Sequence, residues 1–265
     1  MKRVVSKDGT EIAYEKTGHG FPLLLVGGAL SDRSAAAPLA ALLAPHLTVF
    51  ACDRRGRGDS GDTAPYAVER EVEDIQALIA EAGGSAFVFG HSSGSVLALE
   101  AAARGLGIPK LAMYEPPFMI DNHRSRLPKD YGEHVRELVR SGQRGQAVEY
   151  FMTTAVGVPP EAVAQMRRSP GWARMENAAH TIVYDEAIME NSTRGGSLPA
   201  ARWAAATMPV LVFDGGASPA WMRYAVQALV EVLPSAKRFT LDGQTHRVDP
   251  ALVAPVLIEF FAGSR

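Results

Sequence analysis

The stretch AFVFGHSSGSVLALE, residues 86–100, constrains the fold more than any other part of this chain. An apolar run ends at Gly90, three serines crowd before Val96, and an apolar run resumes. AFVF suits a buried strand, and a helix is expected over 94–104. Between them, Gly90-His91-Ser92-Ser93-Gly94 has the strand–G-x-S-x-G–helix form, in which a sharp turn strains the backbone of its central residue. Small neighbours permit that turn, and the central Oγ projects above the carboxyl edge of the sheet, near the positive end of the following helix. Ser92 is therefore the candidate nucleophile; Ser93 and Ser95 are not. The competing reading is a serine-rich connection without chemistry.

The surrounding pattern supports a sheet. RVVS and EIAYEKTG flank the glycine turn KDG, which predicts a hairpin. FPLLLVGG and LTVFACD read as strands buried on both faces, and AFVFG, KLAMYE, MPVLVFDG and AKRFTLDG continue the series. SDRSAAAPLAALLAP predicts a helix. VEREVEDIQALIAEAGG spaces Val72, Ile75, Leu78, Ile79 and Ala82 at helical period, and further helices are expected at 219–233 and 249–262. Strands alternating with helices imply a mainly parallel sheet covered on both faces. From about Pro116 to Ala206 the alternation stops. DYGEHVRELVRSG, RGQAVEYFMTTA, EAVAQMRRS and ENAAHTIVYDEAIME read as helices of an insertion between two strands.

Composition narrows the function. With 265 residues, 47% of them hydrophobic and 21% charged, the chain can bury one large α/β core. A formal charge of −2 gives no global field to attract nucleic acid or an anionic membrane. The basic cluster DRRGRGD is short and broken by glycine, so a solvated or locally paired loop is expected there. Cys52 stands alone, which excludes an internal disulfide and argues against a thiolate metal site. MKRVVSKDGTEIAYEKTG lacks the apolar core of a signal peptide, and no run reaches membrane-spanning length, so a cytoplasmic location is expected.

Four segments, in order, resemble the α/β-hydrolase family. LLLVGG is similar to its third strand and oxyanion loop, and DRRGRGDS (53–60) to its D-x-R-G-x-G-x-S turn after the fourth strand. GHSSG matches its nucleophile elbow, and LDGQTH, with Gly243 three residues before His246, its terminal histidine loop. The resemblance covers nearly the whole length. It implies an eight-stranded, mostly parallel sheet flanked by helices, with a core domain of 1–116 and 207–265 and a helical cap of 117–206 after the sixth strand.

A serine hydroxyl needs a base. Of seven histidines, His246 is the candidate, in a loop beyond the last predicted strand. His91, inside the elbow, is expected to pack or hydrogen-bond locally, and the other five fall in turns or presumed helices. The resemblance places oxyanion-binding amides at Ser93 and Ala29, each such donor being worth about 3–4 kcal/mol of transition-state stabilisation. Gly27-Gly28 replaces the His-Gly of many relatives, a change that a backbone donor survives.

The acid departs from the family's usual position. Ser218 stands where an aspartate normally follows the seventh strand, and serine cannot supply the charge. Asp214 ends that strand and could equally be a turn residue. Glu115 closes KLAMYE, the predicted sixth strand; some relatives, certain haloalkane dehalogenases and Renilla-type luciferase among them, carry their acid there. Glu115 is the better candidate and Asp214 the alternative.

These residues predict a serine hydrolase that cleaves a small to medium apolar ester or lactone through an acyl-enzyme, needing no metal or organic cofactor and binding a small-molecule substrate, not nucleic acid or membrane. Serine rather than aspartate at 92 argues against dehalogenase or epoxide-hydrolase chemistry. Phe118, Met119, Trp172, Tyr184 and Trp221 are candidate pocket residues, with Tyr150, Phe151, Met152, Met175 and Met222 behind them; all could equally be helix core. A carbon–carbon bond hydrolase is the nearest alternative, and peroxide could replace water as acyl acceptor. Ser218 also keeps open an inactive ligand-binding or receptor-like protein of the same fold.

Overall fold

In the computed structural model, which describes residues 1–120, 126–189 and 198–263, the apolar runs become strands of one sheet. Its strands are β1 (Lys2–Val5), β2 (Glu11–Gly18), β3 (Pro22–Val26), β4 (Thr48–Cys52), β5 (Phe87–His91), β6 (Leu111–Tyr114), β7 (Val210–Gly215) and β8 (Ala236–Leu241). They lie in the order β1-β2-β4-β3-β5-β6-β7-β8. The hairpin expected around KDG pairs Lys2 with Tyr14, and β2 runs antiparallel to β4; every later pair is parallel.

Side-chain alternation builds the two faces. Leu24 and Val26 of β3 join the layer under α2 (Val68–Glu81), α3 (Ser93–Ala103) and α10 (Ala220–Val232). Leu23 and Leu25 point the other way, toward α1 (Ala37–Leu43) and α11 (Pro250–Ala262). Burial on both faces is why these strands read as unbroken apolar runs rather than alternating ones. From β3 the chain crosses to β4 on one side, and from β5 it proceeds to β6 on the other. The sheet therefore changes winding direction between β3 and β5, and a crevice opens at their carboxyl ends.

The insertion follows β6. It contains α4 (Tyr131–Arg140), α5 (Arg144–Tyr150), α6 (Pro160–Met166), α7 (Trp172–Asn177), α8 (Ile182–Met189) and α9 (Ala200–Trp203). A separate apolar cluster including Val135, Leu138, Val148, Trp172 and Ile182 gives it a small core. The helix expected from RGQAVEYFMTTA keeps α-geometry only to Tyr150, and Phe151–Val156 form a π-helical turn. Glu190, last residue of the final helix expected in the insertion, lies outside the described residues. Among the described residues no helix is long and apolar enough to cross a membrane.

Within DRRGRGD, Asp59 is exposed and its N–H donates to Asp53 at 2.9 Å, as a solvated or locally paired loop would have it, but the three arginines depart from that expectation. Arg54, Arg55 and Arg57 are 4%, 0% and 1% exposed. The turn leaves β4 at the covered edge of the sheet, so its arginines reach carboxylates on α2, α8 and the β1–β2 turn instead of water.

Candidate active site

The connection from β5 to α3 is as tight as GHSSG suggests. Ser92 holds φ 56°, ψ −128°, a left-handed conformation that a side chain rarely adopts. Its N–H donates to the Tyr114 carbonyl on β6 at 2.9 Å. A Cβ on Gly94 would lie 2.4 Å from the Val26 carbonyl oxygen, so only glycine lets α3 start this close to β3. A Cβ on Gly28 would lie 2.9 Å from the Ser92 Cβ, which brings the loop after β3 directly against the serine. The three serines have separate surroundings. Ser95 donates to the Gly90 carbonyl at 2.7 Å, Ser93 donates to Asp185 at 2.8 Å, and Ser92 lines a cavity.

Glu115 follows β6 with φ 46°, again left-handed and not glycine. Its N–H donates to the Phe213 carbonyl at 3.1 Å, and its fully buried carboxylate faces the crevice. Oε1 accepts from the Gly215 N–H at 2.8 Å, and Oε2 lies 2.8 Å from His246 Nδ1. A carboxylate accepts, so Nδ1 carries the proton and Nε2, on the other side of the ring, is the basic nitrogen. Burial pushes the Glu115 carboxyl up. The hydrogen bond from His246, the nearby Ser218 hydroxyl and the Gly215 amide outweigh it and hold the group below the usual carboxylate range. Ser218 is buried beside this carboxylate, close enough to favour its charge, though its Oγ falls short of a well-formed hydrogen bond.

Asp214 is placed elsewhere. It bonds Arg238 and, at 2.6 Å, the Thr240 hydroxyl, both on the neighbouring strand β8. Its buried charge is thus engaged within the β7–β8 ladder.

Two aromatic residues that sequence reasoning left without a role hold the His246 loop. The Tyr114 hydroxyl donates to the Thr245 carbonyl at 2.7 Å. His91 stacks on Tyr114 and donates from Nε2 to the His246 carbonyl at 3.0 Å. His91 packs, one of the two outcomes expected for it, while its hydrogen bond reaches across the chain instead of within the turn. Burial, with the neighbouring His246 charge, pushes the His91 pKa down to about 4, so the ring stays neutral. Neither residue carries a motif, because their partners become neighbours only when the sheet forms.

Ser92, Ser93, Ala29 and His246 share one cavity of about 100 Å³. Met119, Phe151, Ile182, Met189, Trp221 and Met222 supply much of its apolar wall. Of the other pocket candidates, Phe118 packs on Trp203 in the main core, 5.3 Å between centroids. Trp172 is buried in the insertion's own core and donates to Glu176 at 2.9 Å. Tyr184 stacks on Tyr66 at 3.8 Å and donates to Asp62. These three rings pack against other side chains and not along the cavity, the core role that the sequence left open for them. Tyr150, Met152 and Met175 also pack around the insertion core. Tyr131, Leu127 and Ile182 line the cavity without having been singled out, since an apolar helix face looks the same whether it meets core or ligand.

Behind Ser93 lies a buried ion network. Arg54 makes two hydrogen bonds to Glu71, at 2.7 and 2.9 Å, and one to Asp185 at 2.8 Å. Arg57 bonds the other Asp185 oxygen at 2.7 Å, and the Tyr66 hydroxyl donates to Glu71 at 2.9 Å. Burial pushes Asp185 up, but the charges of Arg57 and Arg54 and the Ser93 hydroxyl keep it below its ordinary value.

A parallel sheet with its winding reversal at β3/β5, a serine in a strained turn there and a histidine–carboxylate pair beside it define a class. The chain belongs to the alpha/beta hydrolase family, whose profile matches residues 18–256, and it is a hydrolase. It is 56% identical to an alpha/beta hydrolase from Sphaerobacter thermophilus DSM 20745, over 98% of this chain and 100% of that one, with a TM-score of 0.93. An uncharacterized hydrolase of Bacillus subtilis (strain 168), YraK, is 36% identical over 164 residues, a stretch spanning 60% of each protein. A thermophilic esterase from Thermogutta terrifontis shares the fold, with a TM-score of 0.73 at 23% identity over 98% of this chain and 97% of its own.

Proposed function

We propose that the protein is a serine hydrolase for small to medium apolar esters or lactones, with Ser92, His246 and Glu115 as nucleophile, base and orienting acid. The observation that carries this reading is the 2.8 Å contact from His246 Nδ1 to Glu115, beside a cavity that both His246 and Ser92 line. Glu115 fixes the imidazole with Nε2 as the free base and stabilises the imidazolium that forms. Ser92 Oγ attacks the acyl carbon while His246 takes its proton. The amides of Ser93 and Ala29 hold the oxyanion, and His246 then protonates the leaving oxygen. Water, deprotonated by the same histidine, releases the acid and restores Ser92.

The apolar wall and modest volume support a short or medium acyl group over a long chain. The ligand-binding alternative rested on Ser218, and Glu115 supplies the charge that Ser218 lacks. A fluorophosphonate probe tests the reading: the wild type is labelled and Ser92→Ala is not. Folded wild type that resists labelling would instead be a binding protein. p-Nitrophenyl esters of increasing acyl length, run beside lactones, then rank substrates.

A further inference from the structure

The proposed oxyanion hole draws its two amides from different loops. Ala29 lies in the loop after β3 and Ser93 in the first turn of α3, so the hole exists only while the two keep register. Leu30, beside Ala29, holds φ 56°, a left-handed conformation that a leucine keeps only where its surroundings enforce it. Gly27, where many relatives carry histidine, offers no side chain to anchor the loop, and a Cβ there would lie 2.6 Å from the Ser31 hydroxyl oxygen. Ser31 Oγ donates to the Gly28 carbonyl at 2.8 Å, which closes the loop on itself.

Arg54 reaches both loops. Its Nη1 donates to the Gly27 carbonyl and to Ser93 Oγ, each at 3.3 Å. Nε and Nη2 are pinned by the Glu71 carboxylate, so the planar fork has one orientation. Asp185, on α8 of the insertion, accepts from Nη1 and from Ser93 Oγ at 2.8 Å each and completes the knot. In the D-x-R-G-x-G-x-S pattern Arg54 fills an open position, and the specified arginine, Arg55, turns its fork to Asp74.

We propose that Arg54 is a positioning residue for the oxyanion hole, holding the Ala29 and Ser93 amides at one spacing while Asp185 secures it from the insertion. Amide donors stabilise the transition state only when aimed where the oxyanion forms. Drift between the loops therefore weakens that state more than the bound ester. This role rests on the acyl-transfer reading of Ser92.

The test is Arg54→Lys, which keeps the charge but cannot hold Glu71 with a fork and reach Gly27 and Ser93 at once. On p-nitrophenyl butyrate kcat should fall by about 100-fold at unchanged KM, the scale of a catalytic group displaced by about 1 Å. A trifluoromethyl ketone with the same chain reads the hole directly. Ser92 Oγ adds to its carbonyl carbon, His246 takes the proton, and the ketone oxygen becomes the oxyanion. Its Ki should rise by the factor that kcat/KM loses, while that of the unfluorinated methyl ketone, bound without addition, stays level. An inhibition constant is independent of how much variant folds, so lower abundance leaves the comparison intact. Ser93→Ala keeps the Ser93 N–H and removes only the hydroxyl tied to Arg54; there the trifluoromethyl ketone should weaken by about 10-fold, the scale of one hydrogen bond. Should Arg54→Lys fail to fold, Ser93→Ala alone decides. Arg55→Lys, a buried arginine of the same turn, is the matched control and should hold both inhibition constants. Wild type that neither hydrolyses esters nor prefers the fluorinated ketone would overturn the reading of Ser92 itself. Ester hydrolysis by wild type, with the fluorinated ketone held as tightly by the variants, would overturn this inference alone. So would both ketones weakening together, or an equal loss in Arg55→Lys.

Discussion

Glu115 sits in a conformation that costs a non-glycine residue about 1–3 kcal/mol, yet it is among the most deeply buried charges in the protein. That arrangement aims the carboxylate along the rim of the sheet at His246, whereas Asp214, one strand over, is consumed by Arg238 and Thr240. Glu115→Gln is expected to lower kcat on a p-nitrophenyl ester by about 10³–10⁴-fold, as loss of an orienting carboxylate does elsewhere. Asp214→Asn should act mainly on stability, leaving kcat within about 10-fold, because it touches no reacting group. The opposite ranking would move the acid to Asp214. His91 makes a separate prediction. Its folded pKa of about 4 lies below the unfolded value, so between the two the unfolded chain binds more protons. Stability is therefore full above the unfolded value and falls as the pH drops toward 4, by up to about 3 kcal/mol. Urea midpoints across that window should drop more steeply for wild type than for His91→Gln; parallel curves would contradict it. The contrast between these residues shows what one chain of letters can carry. The position of Glu115 is legible because it closes an apolar strand, but so does Asp214, and only the family resemblance favoured Glu115 over it. His91 is not legible, because its partner is 155 positions away.

At the scale of elements, strands and helices were largely legible because burial imposes period. Leu23 to Val26 feed opposite faces in turn, and α3, α10 and α11 begin and end within a residue or so of their expected limits. What period could not convey is how β6 steadies a loop belonging to the far end of the chain. Tyr114 looks like one more apolar strand residue, but its hydroxyl anchors the Thr245 carbonyl next to the proposed base. Tyr114→Phe leaves that carbonyl without its donor while keeping the packing of the ring. A stability loss of about 1 kcal/mol is expected, the net worth of a single hydrogen bond. The more telling readout is amide exchange: residues 244–247 should exchange faster while β5 stays protected. Uniform acceleration through the sheet would mean that Tyr114 stabilises the fold at large and not this loop. The π-helical turn at Phe151–Val156 is a second departure from period. Phe151, Ala155 and Val156 line the cavity from it, a place where a widened helix re-aims side chains that regular spacing would send elsewhere.

For the whole molecule, the question is what keeps the insertion seated over the crevice. Apolar contact contributes: Ile188, Met189 and Trp203 of the insertion join the layer that includes α3, and Leu30 from the loop after β3 joins the insertion's cluster. The ion network is a second tie: Asp185 on α8 meets Arg54 and Arg57 from the turn after β4, and Glu71 on α2 closes the set. Two positive and two negative charges balance, which is why burial is tolerable. The sequence showed arginines close together and suggested solvent, because their counter-charges are spread over α2 and α8. Asp185→Asn keeps the shape and an acceptor for Ser93 but removes one charge, leaving Glu71 alone against two buried guanidinium groups. The expected loss is about 3–5 kcal/mol, read as a lower urea midpoint at unchanged slope. The exposed pair Arg140–Glu137 is the control: Arg140→Ala should cost under about 1 kcal/mol. Salt separates the two further, since added sodium chloride screens exposed charge and leaves a buried network nearly untouched. Wild type should therefore hold its midpoint in high salt. If Asp185→Asn cost no more than Arg140→Ala, the insertion would be held by its apolar contacts, and the network would be a passenger of the fold.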